Sequence, residues 1–278
     1  MTSPRFAILD VSGLKPHALD ARMSMLGITS FESMERVVER QRRMERTLRR
    51  YDAFANAWIP PRCLSKAGCE LHHDCNAACY VATRLYRAEM VLSEPPVFLE
   101  NDLPVELFTV VPSCWQVDVG QLQSFDFGRA KRLVGRALRG AGNGSALLAA
   151  FGIEVTLCEE GGREYWAPHV HGIAAGVPRQ VLSRALRKLA VDDQNLRPVH
   201  ARRVPMEEVP AVFNYICKRV DTRKVRYFTE SGRPRWRNGL PLRSHQQAEI
   251  DAWKSAFPIG CFYGRLGFKR NGRFLVLT

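Results

Sequence analysis

The hydrophobic pattern is clearest over residues 152–176, where two runs rich in β-branched and aromatic residues flank Gly161-Gly162. A Gly-Gly pair between such runs predicts an antiparallel hairpin, because both turn positions need positive φ. Strand period is two, so His169 and His171 leave the chain on one face while Val170 points the other way, into a core. Folding the hairpin about Gly161-Gly162 makes residue numbers across it sum to a constant. Glu154 then lies opposite His169, with Cβ atoms about 5 Å apart, and Glu154, His169 and His171 become three potential ligands on one face. An odd-length loop or a bulge would send Glu154 to the far side. The same spacing also suits two surface histidines on a half-exposed strand.

Around this hairpin the pattern predicts a regular order of elements. Residues 105–115 alternate as a strand, with Val105, Leu107, Thr109 and Val111 on one face. Asp126 caps a helix reaching to about Arg139, with Phe127, Ala130, Leu133, Val134, Ala137 and Leu138 inward. Gly140, Gly142 and Gly144 stop it. After the hairpin, Pro178 opens a second helix with Val181, Leu182, Ala185, Leu186 and Leu189 inward, and residues 198–204 suit a fourth strand. The order is βαββαβ, which predicts an α+β fold with a ferredoxin-like (RRM-like) antiparallel sheet, helices on one face and the other face open for a site. A further helix over about residues 206–220 carries Val209, Val212, Phe213, Ile216 and Val220 as one apolar stripe. Tyr215 and Lys218 are neighbours at i, i+3 and neither faces the core. On its own this is also the pattern of an edge tyrosine beside a solvated lysine.

Upstream, residues 30–50 form a basic amphipathic helix with Met34, Val37, Val38, Met44 and Leu48 on its apolar side, and residues 1–13 are expected to be loosely ordered. Between them and a short helix over roughly residues 78–91 lie Cys63, Cys69, His72, His73, Cys75 and Cys79. Thiolate and imidazole ligands at these spacings favour a closed, structural Zn²⁺ site, with four ligands drawn from Cys63, Cys69, Cys75, Cys79 and a histidine such as His73. A cluster of free thiols is the alternative. Pro95-Pro96 then marks an expected boundary.

Charge changes the picture. The 278-residue chain has a formal net charge of +13, mostly from arginine. Arginine suits bidentate phosphate contacts, so a polyanion is the expected partner. No run approaches the roughly 18 apolar residues of a membrane span and no secretory pattern opens the chain, so a soluble, cytoplasmic protein with reduced cysteines is expected. Residues 221–278 interleave arginine with Tyr227, Phe228, Trp236, Phe262, Tyr263 and Phe268, which suits single-stranded nucleic acid or a plain small sheet.

Pro168-His169-Val170-His171 on a strand, followed by Tyr215-Ile-Cys-Lys218 on a helix, resembles the HUH endonucleases, most closely the single-tyrosine rolling-circle replication initiators of small plasmids. The resemblance covers about residues 105–220. Leu107-Phe108-Thr109-Val110-Val111 is similar to that family's first strand motif, Trp166 is common at its position, and many relatives carry a cysteine-rich zinc segment upstream. Glu154 stands at a variable position of the family, and a single tyrosine occupies the motif. Together with the Pro95-Pro96 break, three regions are expected: a basic, helical, zinc-binding part over 1–95, a nicking domain over 96–225, and a basic aromatic extension over 226–278 packed upon it.

The resemblance also implies a chemistry. Tyr215 would attack a phosphodiester of single-stranded or hairpin origin DNA, joining itself to the 5′ phosphate and freeing a 3′ hydroxyl. Mg²⁺ or Mn²⁺ on His169, His171 and Glu154 would polarise the phosphate, and Lys218 would favour the phenolate. A phenol has a pKa of about 10, so only about one in a thousand is ionised at neutral pH and help is required. No Gly-x-x-x-x-Gly-Lys-Ser/Thr occurs, so unwinding and copying fall to a host helicase and polymerase. The same chemistry serves rolling-circle transposases and mobilisation relaxases. A non-catalytic zinc-containing DNA-binding regulator is the alternative of another class.

Overall fold

Two 13-residue strands, β4 (Leu148–Glu160) and β5 (Arg163–Ala175), form the central hairpin. They belong to a computed structural model that describes residues 5–11, 14–28, 30–51, 75–100, 103–142, 147–190, 198–218 and 221–278. Gly161 and Gly162 turn the chain at φ 58° and 84°, as a two-residue turn with both φ positive requires. The register puts Glu154 opposite His169 and Gly152 opposite His171.

On the inner side of the hairpin, β2 (Val105–Val110) runs antiparallel to β5 and pairs Thr109 with His171. Beyond it β6 (Val199–Arg203) runs antiparallel to β2. The order across the sheet is β6-β2-β5-β4. Helix α5 (Phe127–Gly142) lies between β2 and β4 in sequence, and α6 (Arg179–Arg187) between β5 and β6. Asp126 caps α5 by accepting from the Arg129 amide at 2.7 Å. Phe127, Ala130, Val134 and Leu138 of α5 and Leu182 and Leu186 of α6 join the core that contains Phe108, Val110 and Val170. Val181 stays outside it, 39% exposed, against the expected inward position. Residue 112 is proline, so the first strand ends at Val110 rather than continuing to Trp115.

The sheet is larger than the four expected strands, and mixed. A short strand β3 (Val117–Asp118) pairs with β5 at Trp166. The outer edge of β4 is shared by two partners. Strand β7 (Thr222–Phe228) runs parallel to β4 near Leu157 and carries β8 (Pro234–Pro241) antiparallel to it. Strand β9 (Tyr263–Leu266) pairs antiparallel with residues 149–152. A second sheet joins β1 (Arg5–Ala7), β11 (Phe274–Leu277) and β10 (Phe268–Asn271). For residues 5–11 the expectation of a loose N-terminus is therefore corrected: Phe6 and Val11 are buried, because pairing with β11 gives the segment a ladder and a core to enter, while residues 1–4 and 12–13 lie outside the described residues.

The N-terminal helices α1 (Pro16–Met25), α2 (Met34–Arg50) and α3 (Tyr80–Ser93) precede this sheet in sequence. Val37, Met44 and Leu48 of α2 are buried, and Gln41 caps α3 by accepting from the Tyr80 amide at 2.8 Å. Pro95-Pro96 opens a short helix, α4 (Pro95–Leu99). Phe98 of α4 packs edge-on against Phe213, ring centroids 5.3 Å apart, so one hydrophobic core continues across the expected boundary. The second expected boundary, between residues 225 and 226, falls inside β7.

Two features were not foreseen in the pattern. Helix α7 (Val209–Ile216), backed by α3, lies on the histidine-bearing face that was expected to be open, because its stripe of Val209, Val212, Phe213 and Ile216 requires a core. Helix α8 (Ser244–Ser255) buries Glu249, whose carboxylate accepts from Gly120 N, Leu122 N and Trp166 Nε1, each at 2.9 Å. Beside it, Trp253, Phe127, Phe257 and Phe262 form an aromatic cluster, Phe127 and Phe262 standing 4.7 Å apart by centroids.

Candidate functional site

Where α7 crosses the hairpin, Glu154, His169, His171, Tyr215 and Lys218 meet. The Nε2 atoms of His169 and His171 lie 3.6 and 3.7 Å from Glu154 Oε2, and the candidate ligand atoms all fall within 4.8 Å of one another. Among the described residues no other group of three His, Cys, Asp or Glu side chains gathers in this way. Ligands held at about 2.1 Å from a common cation are about 3.0 to 3.4 Å apart. The two Glu154–imidazole distances exceed that range by a few tenths of an ångström, while the widest ligand pair must draw in by about 1.4 Å to seat an ion.

The surrounding bonds orient the rings for that task. His169 Nδ1 lies 3.0 Å from the Ala167 carbonyl oxygen, which can only accept, so Nδ1 carries the proton and Nε2 presents its lone pair. His171 Nδ1 lies 2.8 Å from Thr109 Oγ1, an anchor that also leaves Nε2 facing Glu154. Such outer bonds fix ring orientation at metal sites. Glu154 Oε1 is buried without a hydrogen-bond partner among the described groups. An uncompensated buried carboxylate oxygen is costly, and a cation removes that cost. Burial, with smaller contributions from His169, Lys218 and Lys224, pushes His171 down to about 2, so it stays a neutral imidazole at ordinary pH, the form that ligates metal.

Tyr215 is partly exposed, and its hydroxyl stands 3.4 Å from His171 Nε2, with ring centroids 4.7 Å apart. Burial and then the Glu154 charge raise its pKa. The phenol is therefore protonated and less acidic than in water, even with Lys218 nearby. Lys218 follows the end of α7 and sets its ammonium 3.8 Å from the Tyr215 ring centre, a cation–π contact. Burial lowers the Lys218 pKa, while Glu154 opposes that shift. The i, i+3 relation survives as expected, although α7 stops at Ile216 and residues 219–220 lie outside the described set.

Of the zinc candidates, Cys63, Cys69 and His73 lie outside the described residues. Cys75 and Cys79 are buried, and Cys79 Sγ caps α3 by accepting from the Ala82 amide at 3.4 Å. Sequence reasoning missed two residues of the centre. Thr109 became part of it through the β2–β5 register, which no local signal sets. Gly152 lies under α7 for want of a side chain, a role that only the tertiary contact reveals. No helix among the described residues is long and apolar enough to cross a membrane. No protein-family model, no curated protein and no solved structure matches the chain.

Proposed function

We propose that this chain is a divalent-metal-dependent nicking and joining enzyme for single-stranded DNA, of the HUH type, that initiates rolling-circle replication of a plasmid. The observation that carries the reading is the convergence of a tyrosine hydroxyl, two imidazoles and an unsatisfied carboxylate oxygen in one partly buried corner. The antiparallel order β6-β2-β5-β4, with α5 and α6 in the two crossovers, agrees with a ferredoxin-like βαββαβ unit. The exposed Tyr227, Phe228 and Trp236 on the arginine-rich β7–β8 ribbon suit base stacking beside phosphate contacts.

In this reading His169, His171 and Glu154 hold Mg²⁺ or Mn²⁺. When bound, the ion supplies Lewis-acid charge to the scissile phosphate. Tyr215 Oη forms a bond to phosphorus, the bond from phosphorus to the 3′ oxygen breaks, and the phenolic proton ends on that 3′ oxygen by way of solvent. Lys218 holds positive charge beside the phenol, where negative charge develops as the proton leaves. The product is a 5′-phosphotyrosyl strand and a free 3′ hydroxyl. Reversal by an incoming hydroxyl rejoins DNA without ATP, since one phosphodiester is exchanged for another. A structural zinc on four of Cys63, Cys69, His73, Cys75 and Cys79 belongs to the same reading, and metal analysis of purified protein is expected to find about one zinc per chain.

The deciding experiment incubates the protein with single-stranded DNA from the replicon's origin and Mn²⁺, then separates products under denaturing conditions. A protein–DNA adduct that disappears in Tyr215→Phe is expected. DNA binding with no adduct would instead identify a regulator.

A further inference from the structure

Beside Tyr215 a groove opens between the α1–α2 connection, α3 and α7, lined by Ile28, Ser30, Arg87, Asn214, Tyr215 and Lys218. Arg87 is largely withdrawn from solvent, yet everything it touches is neutral. Its Nε donates to Asn214 Oδ1 at 2.6 Å, its Nη2 reaches the Ser30 carbonyl at 3.5 Å, and its guanidinium sits 5.4 Å from the centre of the Phe31 ring. Asn214 is held in turn by donating Nδ2 to Ser30 Oγ at 3.0 Å. Other arginines at the rim of the core have carboxylates: Arg84 has Asp20, Arg265 has Glu94 and Arg270 has Glu89. Glu32, near Arg87, is taken by Arg40 at 2.9 Å. Among the described residues no carboxylate lies within ion-pair distance of Arg87.

A guanidinium largely withdrawn from water, fixed in one orientation, and reached by the Glu32 and Glu154 charges only through space rather than by an ion pair, is a site for an anion supplied from outside. The groove adds a second cation, Lys218, and Tyr215 is part of its wall, so an anion within it lies beside the residue that reacts. We propose that Arg87 binds the phosphodiester next to the one Tyr215 attacks, which makes this groove the path of the single strand through the protein. The inference rests on the nicking reading for its ligand, and Arg87 acts as a positioning residue: it fixes the strand's register relative to Tyr215.

The test reads binding rather than turnover. A fluorescent mixed-sequence single-stranded oligonucleotide is titrated into the wild type, Arg87→Gln and Arg87→Lys between about 50 and 200 mM salt, where each phosphate contact contributes about 0.7 to the slope of log affinity against log salt. Arg87→Gln, which keeps a donor for Asn214 without the charge, is expected to bind about tenfold more weakly with a slope shallower by about 0.7; Arg87→Lys is expected to keep the slope. An unchanged slope and affinity in Arg87→Gln overturns the proposal. Should that variant fail to fold, the wild type answers: modification of Arg87 by phenylglyoxal, followed by peptide mass spectrometry, is expected to slow when the oligonucleotide is present, and equal rates overturn it. The two readings fail separately. A wild-type adduct with an unaltered slope in Arg87→Gln removes the subsite and leaves nicking, whereas a lost contact with no adduct on any origin strand removes nicking and leaves Arg87 as a phosphate ligand.

Discussion

The backbones of Gly152 and Ile216 approach so closely that a Cβ on Gly152 would fall 2.3 Å from the Ile216 carbonyl oxygen. Gly152 is the cross-strand partner of His171, and Ile216 follows Tyr215, so this contact sets how far the phenol descends toward the imidazole. In Gly152→Ala the carbonyl must retreat, and α7 with it. Displacements of about 1 Å can cost a reaction about a hundredfold. The expected outcome is adduct formation slowed by at least about tenfold with Mn²⁺ affinity within about threefold of wild type. Calorimetry for the metal and single-turnover kinetics for the adduct measure the two separately, and equal loss of both would contradict this account.

Thr109 reaches the metal corner only through His171 Nδ1. Thr109→Val keeps the shape and removes the anchoring oxygen, which should weaken Mn²⁺ binding by about tenfold or more. Glu154→Gln, which removes the charge from a ligand, should weaken it further. Both are read by calorimetry in a Tyr215→Phe background, where nothing turns over. Affinities equal to the parent would mean that the histidine corner is not where the ion sits.

His171 gives metal-free protein a pH signature. Its folded pKa, near 2, lies below the unfolded value of about 6.5, so the unfolded chain takes up a proton that the folded chain refuses. The stability this group contributes is complete above pH 6.5 and is lost as pH falls from there toward 2. Between pH 6 and pH 4 the wild type should lose about 1 kcal/mol per pH unit more than His171→Asn does, by urea titration in the presence of a chelator. Parallel pH profiles for the two proteins would refute the shift.

Glu249 joins three donors from two other segments, two backbone amides of the loop before α5 and the indole of Trp166. Glu249→Ala leaves the Leu122 amide and the Trp166 indole buried without an acceptor, while exposed Gly120 can turn to solvent, and a loss of about 3 kcal/mol in unfolding free energy is expected. Because Trp166 lies in the strand that carries His169, Mn²⁺ affinity should fall as well. A change of less than about 1 kcal/mol would show that solvent or neighbouring groups take over the donors.

The sequence made the hairpin legible for a physical reason: a two-residue Gly-Gly turn between strand-forming runs fixes which residues face each other across the pair. Glu154 opposite His169 follows from that register alone. The stripe on α7 was legible as well, with Tyr215 off its apolar face. What covers the histidines was not, since a stripe of Val209, Val212, Phe213 and Ile216 requires a core without saying which one. Helix α8 escaped notice because its inward positions include Gln246, Glu249 and Asp251, polar residues that break an apolar period and become comprehensible only through distant partners. The pairing of β1 with β11 joins the two ends of the chain, and no local pattern specifies such a contact.

Strand β5 has a neighbour on each side, β2 and β4, and the outer edge of β4 is itself occupied at both ends. His169 and His171 thus ride on a plank clamped along its length, and cannot shift without the sheet shifting as a whole. The eight-residue α7 has no such ladder: it is held by its buried apolar stripe and by side-chain bonds such as those of Asn214 to Arg87 and Ser30. On the proposed nicking reading, a strand would enter and a joined product leave from the tyrosine's side, with the imidazoles as the anvil and the phenol as what travels.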